Sequence, residues 1–550
     1  MIIGLDVGGT HTDVVLLGKQ GLVNEVKVPT DASNLFRSVL SGLDKITQGI
    51  EPSEIDRAVF STTQTTNAIV QNNLPPIGMI VASGPGVDPE FFRTNDHYYT
   101  VSGSIDHRGR EIKPIDSSEI KTIAKTLKKS DIQYVGVVSK FSVRNPSHEL
   151  AIYEILKDDF EKVFLGHRIS GNLNFPRRIS TTYLNAAVYP IHKDFYEAII
   201  KSIEKKWLNI PLHILKADGG TMSLEASMDF PGQTIVSGPA ASIMGSIPFA
   251  PENEDCLVLD IGGTTTDMAV LIDRVPVLSP LGINLANYKT LIRSLYTHSI
   301  GIGGDSYVRV EDGNLKIGPD RKGPAMAYGG PSPTPTDALC VIGLIKDGDN
   351  EKAKTGIQQI ADQINDTLDT TYKKIMSEAH AMIDRINSKP VYTIHELQEG
   401  YKVDPKQILI IGGPAPYFAR HIEEFSGIKV GVVPKWKVAN AIGAALARTT
   451  CEVVLLADTE QGFASSPEEN FNKPIDRSFT AEDAIKMANE LLEEKALQKG
   501  ASPDDLELEV LEELQFNMVR GFQSTGKNIR IKVQVKPGIL NEYTNIADML

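Results

Sequence analysis

The sequence predicts an α/β protein of two similar lobes, with an α/β insertion in the first lobe and a small appended α+β module at the C-terminus. Three observations carry this. The run Leu259 to Met268 (LDIGGTTTDM) nearly repeats Leu5 to Val14 (LDVGGTHTDV). Each copy is flanked by short apolar runs, Val14–Leu17 after the first and Met268–Ile272 after the second, which reads as strand, tight turn, strand. After each copy come a strand ending in Gly-Gly and then a helix rich in Ala, Gly and Ser. The offset between copies, 260 − 6 = 254 residues, is too long for a solenoid period and indicates duplication of a domain. The expected boundaries are 1–252 for the first lobe, with its insertion at about 77–175, then 253–449 for the second lobe and 450–550 for the module.

In chain order, the first hairpin leads to a helix at about Asn34 to Gln48 and a strand at Ala58–Ser61. The Thr-rich turn Thr62–Asn67 precedes an apolar segment and is expected to cap a helix N-terminus. In the insertion, strands Ile77–Ala82, Tyr134–Val138 and Lys162–Leu165 alternate with helices Ser117–Lys129 and Ser147–Asp158. Ser180–Lys206 reads as a helix broken at Pro190, followed by the strand Leu212–Lys216, the turn Asp218-Gly219-Gly220 and a small-residue helix from Ser237. The second half gives the loop Ser299–Ser306, a Pro/Gly-rich stretch from Gly318 to Pro335 and a long polar helix around Glu351 to Asn387. The strand Gln407–Ile411 then meets Gly412-Gly413-Pro414, a helix begins near Tyr417, and Ala439–Leu446 is the second small-residue helix. The tail combines a polar segment, Asp458–Asp476, with a helix, Thr480–Lys499, and the strands Leu506–Leu511 and Ile529–Val535.

The chain has 550 residues, enough for several well-filled cores. Its 56 Lys and Arg against 70 Asp and Glu give a net charge of −14 with no basic run, so neither nucleic acid nor an anionic membrane is an expected partner. Cys256, Cys340 and Cys451 form no CxxC pair, which suits a reducing compartment and argues against a disulfide framework or zinc ribbon. No apolar run approaches the roughly 20 residues of a membrane span, and no basic leader precedes Ile2, so a soluble, cytoplasmic protein is expected.

The hairpins carry the chemistry. Gly8 and Gly9, matched by Gly262 and Gly263, remove side chains where the backbone turns, so amide N–H groups can approach a phosphate. Thr10, Thr12, Thr264, Thr265 and Thr266 add hydroxyls to the same mouth. Asp6 and Asp260 would repel a bare phosphate but suit a hydrated Mg²⁺ that bridges it. Two such hairpins facing each other form a clamp for a nucleotide polyphosphate in the cleft between lobes. His11 stands where the second copy has Thr265, and is either a substrate or phosphate contact or a solvent-facing turn residue.

Two other motifs fail their context tests. Gly521–Asn528 nearly spells a P-loop, but it lacks a Ser or Thr after Lys527 and runs into a β-like stretch where a helix is required. His148-Glu149 and His395-Glu396 have no second histidine at metal-ligand spacing.

The paired hairpins, the Gly412-Gly413 turn and the small-residue helices resemble the actin, sugar kinase and Hsp70 ATPase fold, a duplicated ribonuclease H-like architecture. Within it the chain resembles the hydantoinase A and 5-oxoprolinase family, which includes an acetone carboxylase subunit. The closer markers are Asp6–Asp13, Asn145-Pro-Ser-His-Glu149, Ser237-Gly-Pro-Ala240, Ser299–Gly304, Tyr328-Gly-Gly330 and Pro335-Thr-Asp337. The chain departs from the family where an aromatic usually replaces His11 and a glycine usually replaces Asp305, and many members are longer at the C-terminus.

The resemblance implies ATP and Mg²⁺ as cofactors and a cyclic amide (hydantoin or lactam) or ketone substrate, with a hydantoinase B-type second subunit. Homo-oligomerisation is left open. It places Asp6 and Asp260 at Mg²⁺, the hairpin glycines and threonines at phosphate, and Gly412, Gly413 and Pro414 against adenosine. Gly303, Gly304 and Asp305 line the same mouth, with Asp337 on a neighbouring loop. Asp13 and Asp267 either orient the hairpin and the attacking group or close the hairpin by hydrogen bonds. Two other readings share the fold. One is a small-molecule kinase with Asp267 as base; the other is a reactivase whose ATP cycle remodels a protein partner.

Overall fold

The computed structural model describes residues 1–9, 11–31, 33–206, 208–279, 281–360, 362–388 and 401–550. Thr10 and the pair His395-Glu396 lie outside the described residues.

Both halves are built on a sheet that starts with the antiparallel hairpin. In the first, Ile2–Val7 pairs antiparallel with His11–Gly18, which pairs on with Gly21–Pro29. On its other side Ile2–Val7 pairs parallel with Arg57–Thr62, followed by Leu212–Leu215 and Thr221–Ser223. In the second, Asp255–Ile261 pairs antiparallel with Thr266–Ile272 and parallel with Gln407–Ile411, beyond which lies Lys429–Val432. The registers coincide: Asp6 faces Asp13, and Asp260 faces Asp267.

These pairings correct one equivalence suggested by the sequence. Gly412-Gly413 ends the strand next to the second hairpin, the position Thr62-Thr63 holds beside the first. Asp218-Gly219-Gly220 follows a strand one place farther out. Recurrence of a Gly-Gly pair in chain order therefore did not preserve its place in the sheet.

The sheets meet through two short helices, Ser237–Ser246 and Ala439–Leu446, which share one core with Val15, Val59, Val258 and Leu271. Glycine decides this contact. A Cβ on Gly443 would sit 1.9 Å from the Ala241 carbonyl oxygen, and one on Gly245 would sit 2.2 Å from that of Ala439. Only missing side chains let the backbones come this close.

The inserted region is a parallel four-stranded sheet, Lys162–Leu165, Tyr134–Ser139, Gly78–Ala82 and Tyr98–Thr100. Helices Ser117–Lys129 and Ser147–Leu156 pack on it. Phe175–Lys205 is one continuous helix and is not broken at Pro190; it is buried along its length from Phe175 to Ile203, so packing on both sides of the proline offsets the lost backbone donor. Conversely, the long polar helix expected at Glu351–Asn387 is two, Asn350–Gln358 and Ile364–Asn387. Asp362 between them has a φ of 56°, which a helix interior does not accept.

The C-terminal module is a five-stranded antiparallel sheet ordered Phe471–Pro474, Phe463–Ser466, Glu452–Asp458, Gln523–Val535, Leu508–Arg520. Two of these strands, Phe463–Ser466 and Phe471–Pro474, lie in what reads as a polar segment. The helix Ala481–Gln498 starts with a Thr480/Asp483 capping box and buries Ala484, Ala488, Leu492 and Ala496 against the sheet. The near-P-loop Gly521–Asn528 is the turn and first half of a hairpin strand, so its glycines cradle nothing.

Candidate active site

Each hairpin turn is closed by the same bond: Gly8 N–H donates to the His11 carbonyl at 3.0 Å, and Gly262 N–H to that of Thr265 at 2.8 Å. Strand alternation then decides which side chains face the mouth. Thr12 and Thr266 are fully buried. Thr12 Oγ1 lies 2.9 Å from Thr30 Oγ1, and Thr266 Oγ1 donates to the Ile302 carbonyl at 2.7 Å. Their hydroxyls thus brace the hairpins from behind, correcting the expectation that they face phosphate. Thr264 is half-buried, while His11 and Thr265 are exposed at the turns.

A run of polar contacts links the two carboxylates through the helices at the joint. Ser242 Oγ lies 2.5 Å from Asp260 Oδ2 and 2.8 Å from Asn440 Oδ1; Asn440 Nδ2 points to Asp6 Oδ2 at 3.4 Å. Ser242 belongs to the helix Ser237–Ser246 and Asn440 to the helix Ala439–Leu446, so the contact runs through the two helices that cross at the joint. Sequence reading passed over both because it treated these helices only as small-residue packing. The signal was there: each is a polar side chain in the run of small residues where the backbones cross.

Burial pushes the Asp6 carboxyl up to about 6, with repulsion from Asp13 and Asp260 adding to it. Burial likewise raises Asp260. Asp267 is pushed to about 7, first by burial and then by Asp260 across the strand pair. Three carboxylates crowded in low dielectric favour protonation until a cation arrives. The Ser61 hydroxyl beside Asp6 eases its burial, yet Asp6 Oδ1 makes no close hydrogen bond among the described residues, which fits a hydrated Mg²⁺ as its counter-charge. Among the described residues no group of three or more His, Cys, Asp and Glu could hold a metal. Asp6 and Asp260 could hold Mg²⁺ only with water and phosphate completing its shell.

The loop Gly303–Asp305 props the second hairpin: Gly304 N–H donates to the Gly262 carbonyl at 3.0 Å, and Asp305 N–H to that of Gly263 at 2.6 Å. The Asp305 carboxylate pairs with Arg321 at 2.9 Å, and its pKa is raised by burial. Gly412 has a φ of 96°, and a Cβ there would meet the Ile261 carbonyl oxygen at 2.2 Å and Asp260 Oδ1 at 2.7 Å. A Cβ on Gly304 would meet Pro414 Cγ at 2.8 Å. By contrast, a Cβ on Gly9 or Gly413 would meet nothing within 4 Å, and both residues are exposed. The most open backbone thus lies at Gly9 and Gly413, Gly262 and Gly263 are half-buried at the second turn, and Gly303, Gly304 and Gly412 form the packed wall behind them.

Asp13 is salt-bridged to Lys27 at 2.8 Å, whereas Asp267 pairs in register with Ser299. Asp337 is structural. It completes a capping box with Thr334 and accepts the N–H groups of Met326 and Ala327. The Thr-rich turn opens the helix Gln64–Val70 and ties it to the joint: Val236 N–H donates to Thr66 Oγ1 at 2.7 Å and Ser237 Oγ to the Thr62 carbonyl at 3.0 Å.

Comparison with known proteins agrees with this architecture. The sequence profile of the hydantoinase/oxoprolinase N-terminal region matches residues 2–160, and that of hydantoinase/oxoprolinase matches residues 178–453. The chain is 25% identical to the caprolactamase alpha subunit of Pseudomonas jessenii, over 79% of this chain and 68% of that one. It is 22% identical to the 5-oxoprolinase of Saccharomyces cerevisiae, over 88% of this chain and 44% of that protein. The fold matches the ATP-dependent caprolactamase of Pseudomonas jessenii with a TM-score of 0.72 at 20% identity, covering 98% of this chain and 88% of that one. It matches nucleotide-free acetone carboxylase with a TM-score of 0.69 at 17% identity and the same coverages. The fold is the duplicated actin-like one, and the chain belongs to the hydantoinase/oxoprolinase family.

Proposed function

We propose that this chain is the ATP-binding subunit of an enzyme that activates the carbonyl of a cyclic amide, a lactam or hydantoin, for ring-opening hydrolysis, and that a hydantoinase B-type subunit completes the reaction. The observation that carries this reading is the link Asp260–Ser242–Asn440–Asp6, which joins the two hairpin carboxylates across the lobes. A nucleotide polyphosphate placed between the hairpins meets both glycine turns, and its charge requires the counter-charge that Asp6 and Asp260 can hold. The names of the relatives, a caprolactamase subunit and a 5-oxoprolinase, support a lactam as the second substrate.

The amide oxygen attacks the γ-phosphorus while the bond from phosphorus to the bridging oxygen breaks. ADP leaves, the ring N–H proton passes to water, and the ring carbon becomes that of an O-phosphorylated imidate open to water. Mg²⁺, when bound, supplies neutralisation of phosphate charge. The chain's own part is alignment. The Gly303–Asp305 loop fixes the second hairpin, and Asp267, titrating near neutrality, holds or releases a proton beside it.

The test is ATP turnover with caprolactam, 5-oxoproline and hydantoin, with and without the second subunit. One cyclic amide should raise turnover at least about tenfold, and Asp260→Asn should remove that increase, the scale expected for loss of a charge that aligns phosphate. A protein that binds no nucleotide, or turnover stimulated by a polyol with a stable phosphorylated product, contradicts the proposal.

A further inference from the structure

Away from the hairpins, the structure encloses a polar cavity where three units meet. Its walls come from the helix Phe175–Lys205 and the strand end at Lys216 and Asp218, from Leu291–Arg293, and from the C-terminal module at Cys451, Glu452, Glu468 and Lys499. Its free volume of about 60 Å³ is room for a few waters or one small anion, and no hairpin residue lines it.

Most charges in these walls are answered by protein. Lys216 Nζ donates to the Thr450 carbonyl at 2.8 Å and to its hydroxyl at 2.6 Å, and pairs with Asp218 at 3.2 Å. Lys495 donates to the Glu452 carbonyl at 2.8 Å and pairs with Glu469. Glu452 is paired with Lys532 at 2.8 Å, and Glu468 accepts the Val454 N–H at 3.0 Å.

Two cations are answered less closely. All three guanidinium nitrogens of Arg293 are buried without a hydrogen bond among the described residues, and its ion pairs with Asp218 and Glu452 are long, at 3.5 and 3.9 Å. Lys499 is 8% exposed, and its ammonium lies 4.4 Å from the centroid of the Phe230 ring. Among the described residues it has no hydrogen-bonding side chain or carboxylate partner. Buried donors without a hydrogen bond, such as those of Arg293, are rare in folded proteins and mark the place of a missing acceptor.

We infer that this cavity binds a compact oxyanion, a small carboxylate or a phosphate-type anion. The planar fork of Arg293 and the ammonium of Lys499 are its binding groups. Because Arg293 comes from the second half and Lys499 from the C-terminal module, a bound anion fastens the module to the lobes. The site is separate from the nucleotide mouth and does not depend on the reaction proposed above.

The experiment uses the full chain. Calorimetric titration and thermal unfolding are run with phosphate, sulfate, acetate and malonate, at ionic strength held constant with chloride. One class should bind at one site per chain and raise the Tm by several degrees; phosphate and sulfate against acetate and malonate identify which class. Lys499→Met should weaken that binding at least tenfold while Asp260→Asn leaves it unchanged. Arg293→Gln should do the same as Lys499→Met, and if it fails to fold, Lys499→Met decides alone. The inference is overturned if no anion raises the Tm beyond chloride, if Lys499→Met binds as the parent does, or if Asp260→Asn abolishes the binding.

Discussion

In the first hairpin Asp13 stands across from Asp6 and is tied to Lys27; in the second, Asp267 stands across from Asp260 with the hydroxyl of Ser299 beside it. The first turn is open at Gly9, whereas the second is held from behind by two hydrogen bonds from the Gly303–Asp305 loop. One motif, repeated in the same register, has thus been given two surroundings. The first hairpin, with Asp13 paired to Lys27 and Gly9 open, suits contact with a ligand that comes and goes. The braced second hairpin, with its two crowded carboxyls, suits a fixed wall whose charge awaits a cation.

The largest effect expected from this contrast is steric. A Cβ on Gly303 would sit 2.5 Å from the Gly262 carbonyl oxygen and 2.7 Å from the Gly263 carbonyl carbon, all backbone. Gly303→Ala should lose about 2–4 kcal/mol of stability, because backbone cannot step aside. Gly9→Ala should stay within about 0.5 kcal/mol. Thermal unfolding of the pair checks this, and equal losses would show that the hairpins are braced alike.

The next effect is electrostatic. Burial raises Asp267 from 3.8 to about 7, so the folded chain holds that proton more tightly than the unfolded one. The associated stability is full below about pH 4 and is lost as pH rises through about 7. Asp267→Asn cannot ionise, so at pH 8 it should be more stable than the parent by about 1–3 kcal/mol, with the gap falling to about a third of that at pH 5. Asp13→Asn gives up an ion pair with the partly exposed Lys27 and should change stability by at most about 1 kcal/mol. Unfolding measured at both pH values separates the two carboxylates.

The sequence made the hairpins, the strand Gln407–Ile411 and the helix Ala439–Leu446 legible because glycine, β-branched and small residues each point to one local geometry there. Less of the site was legible. That Thr12 and Thr266 face inward follows from strand alternation: Thr12 shares a face with Val14 and Leu16, and Thr266 with Met268 and Val270. The Ser242–Asn440 contact was not readable, because it joins residues 198 apart whose meeting depends on how two helices cross. Nor was the continuity of Phe175–Lys205, since packing on both sides of Pro190 overrides a local rule. In the module, strands such as Phe463–Ser466 are short and carry polar residues that local propensity assigns to loops.

The smallest expected effect lies at the one mismatch in the turns. His11 and Thr265 are both exposed. His11→Thr should therefore keep stability within about 0.5 kcal/mol. It should shift the KM of the stimulating amide more than that of ATP; steady-state kinetics against each substrate reads the difference.

The central claim is that one nucleotide is held by both hairpins together. Calorimetric titration of Mg·ATP into the parent, Asp6→Asn, Asp260→Asn and the double variant tests it directly. Each single change should weaken binding, and the double change should cost less than the two singles combined, with a coupling of at least about 1 kcal/mol, because Ser242 and Asn440 join the two carboxylates. Additive losses, or a nucleotide affinity that responds to only one of the two aspartates, would contradict it.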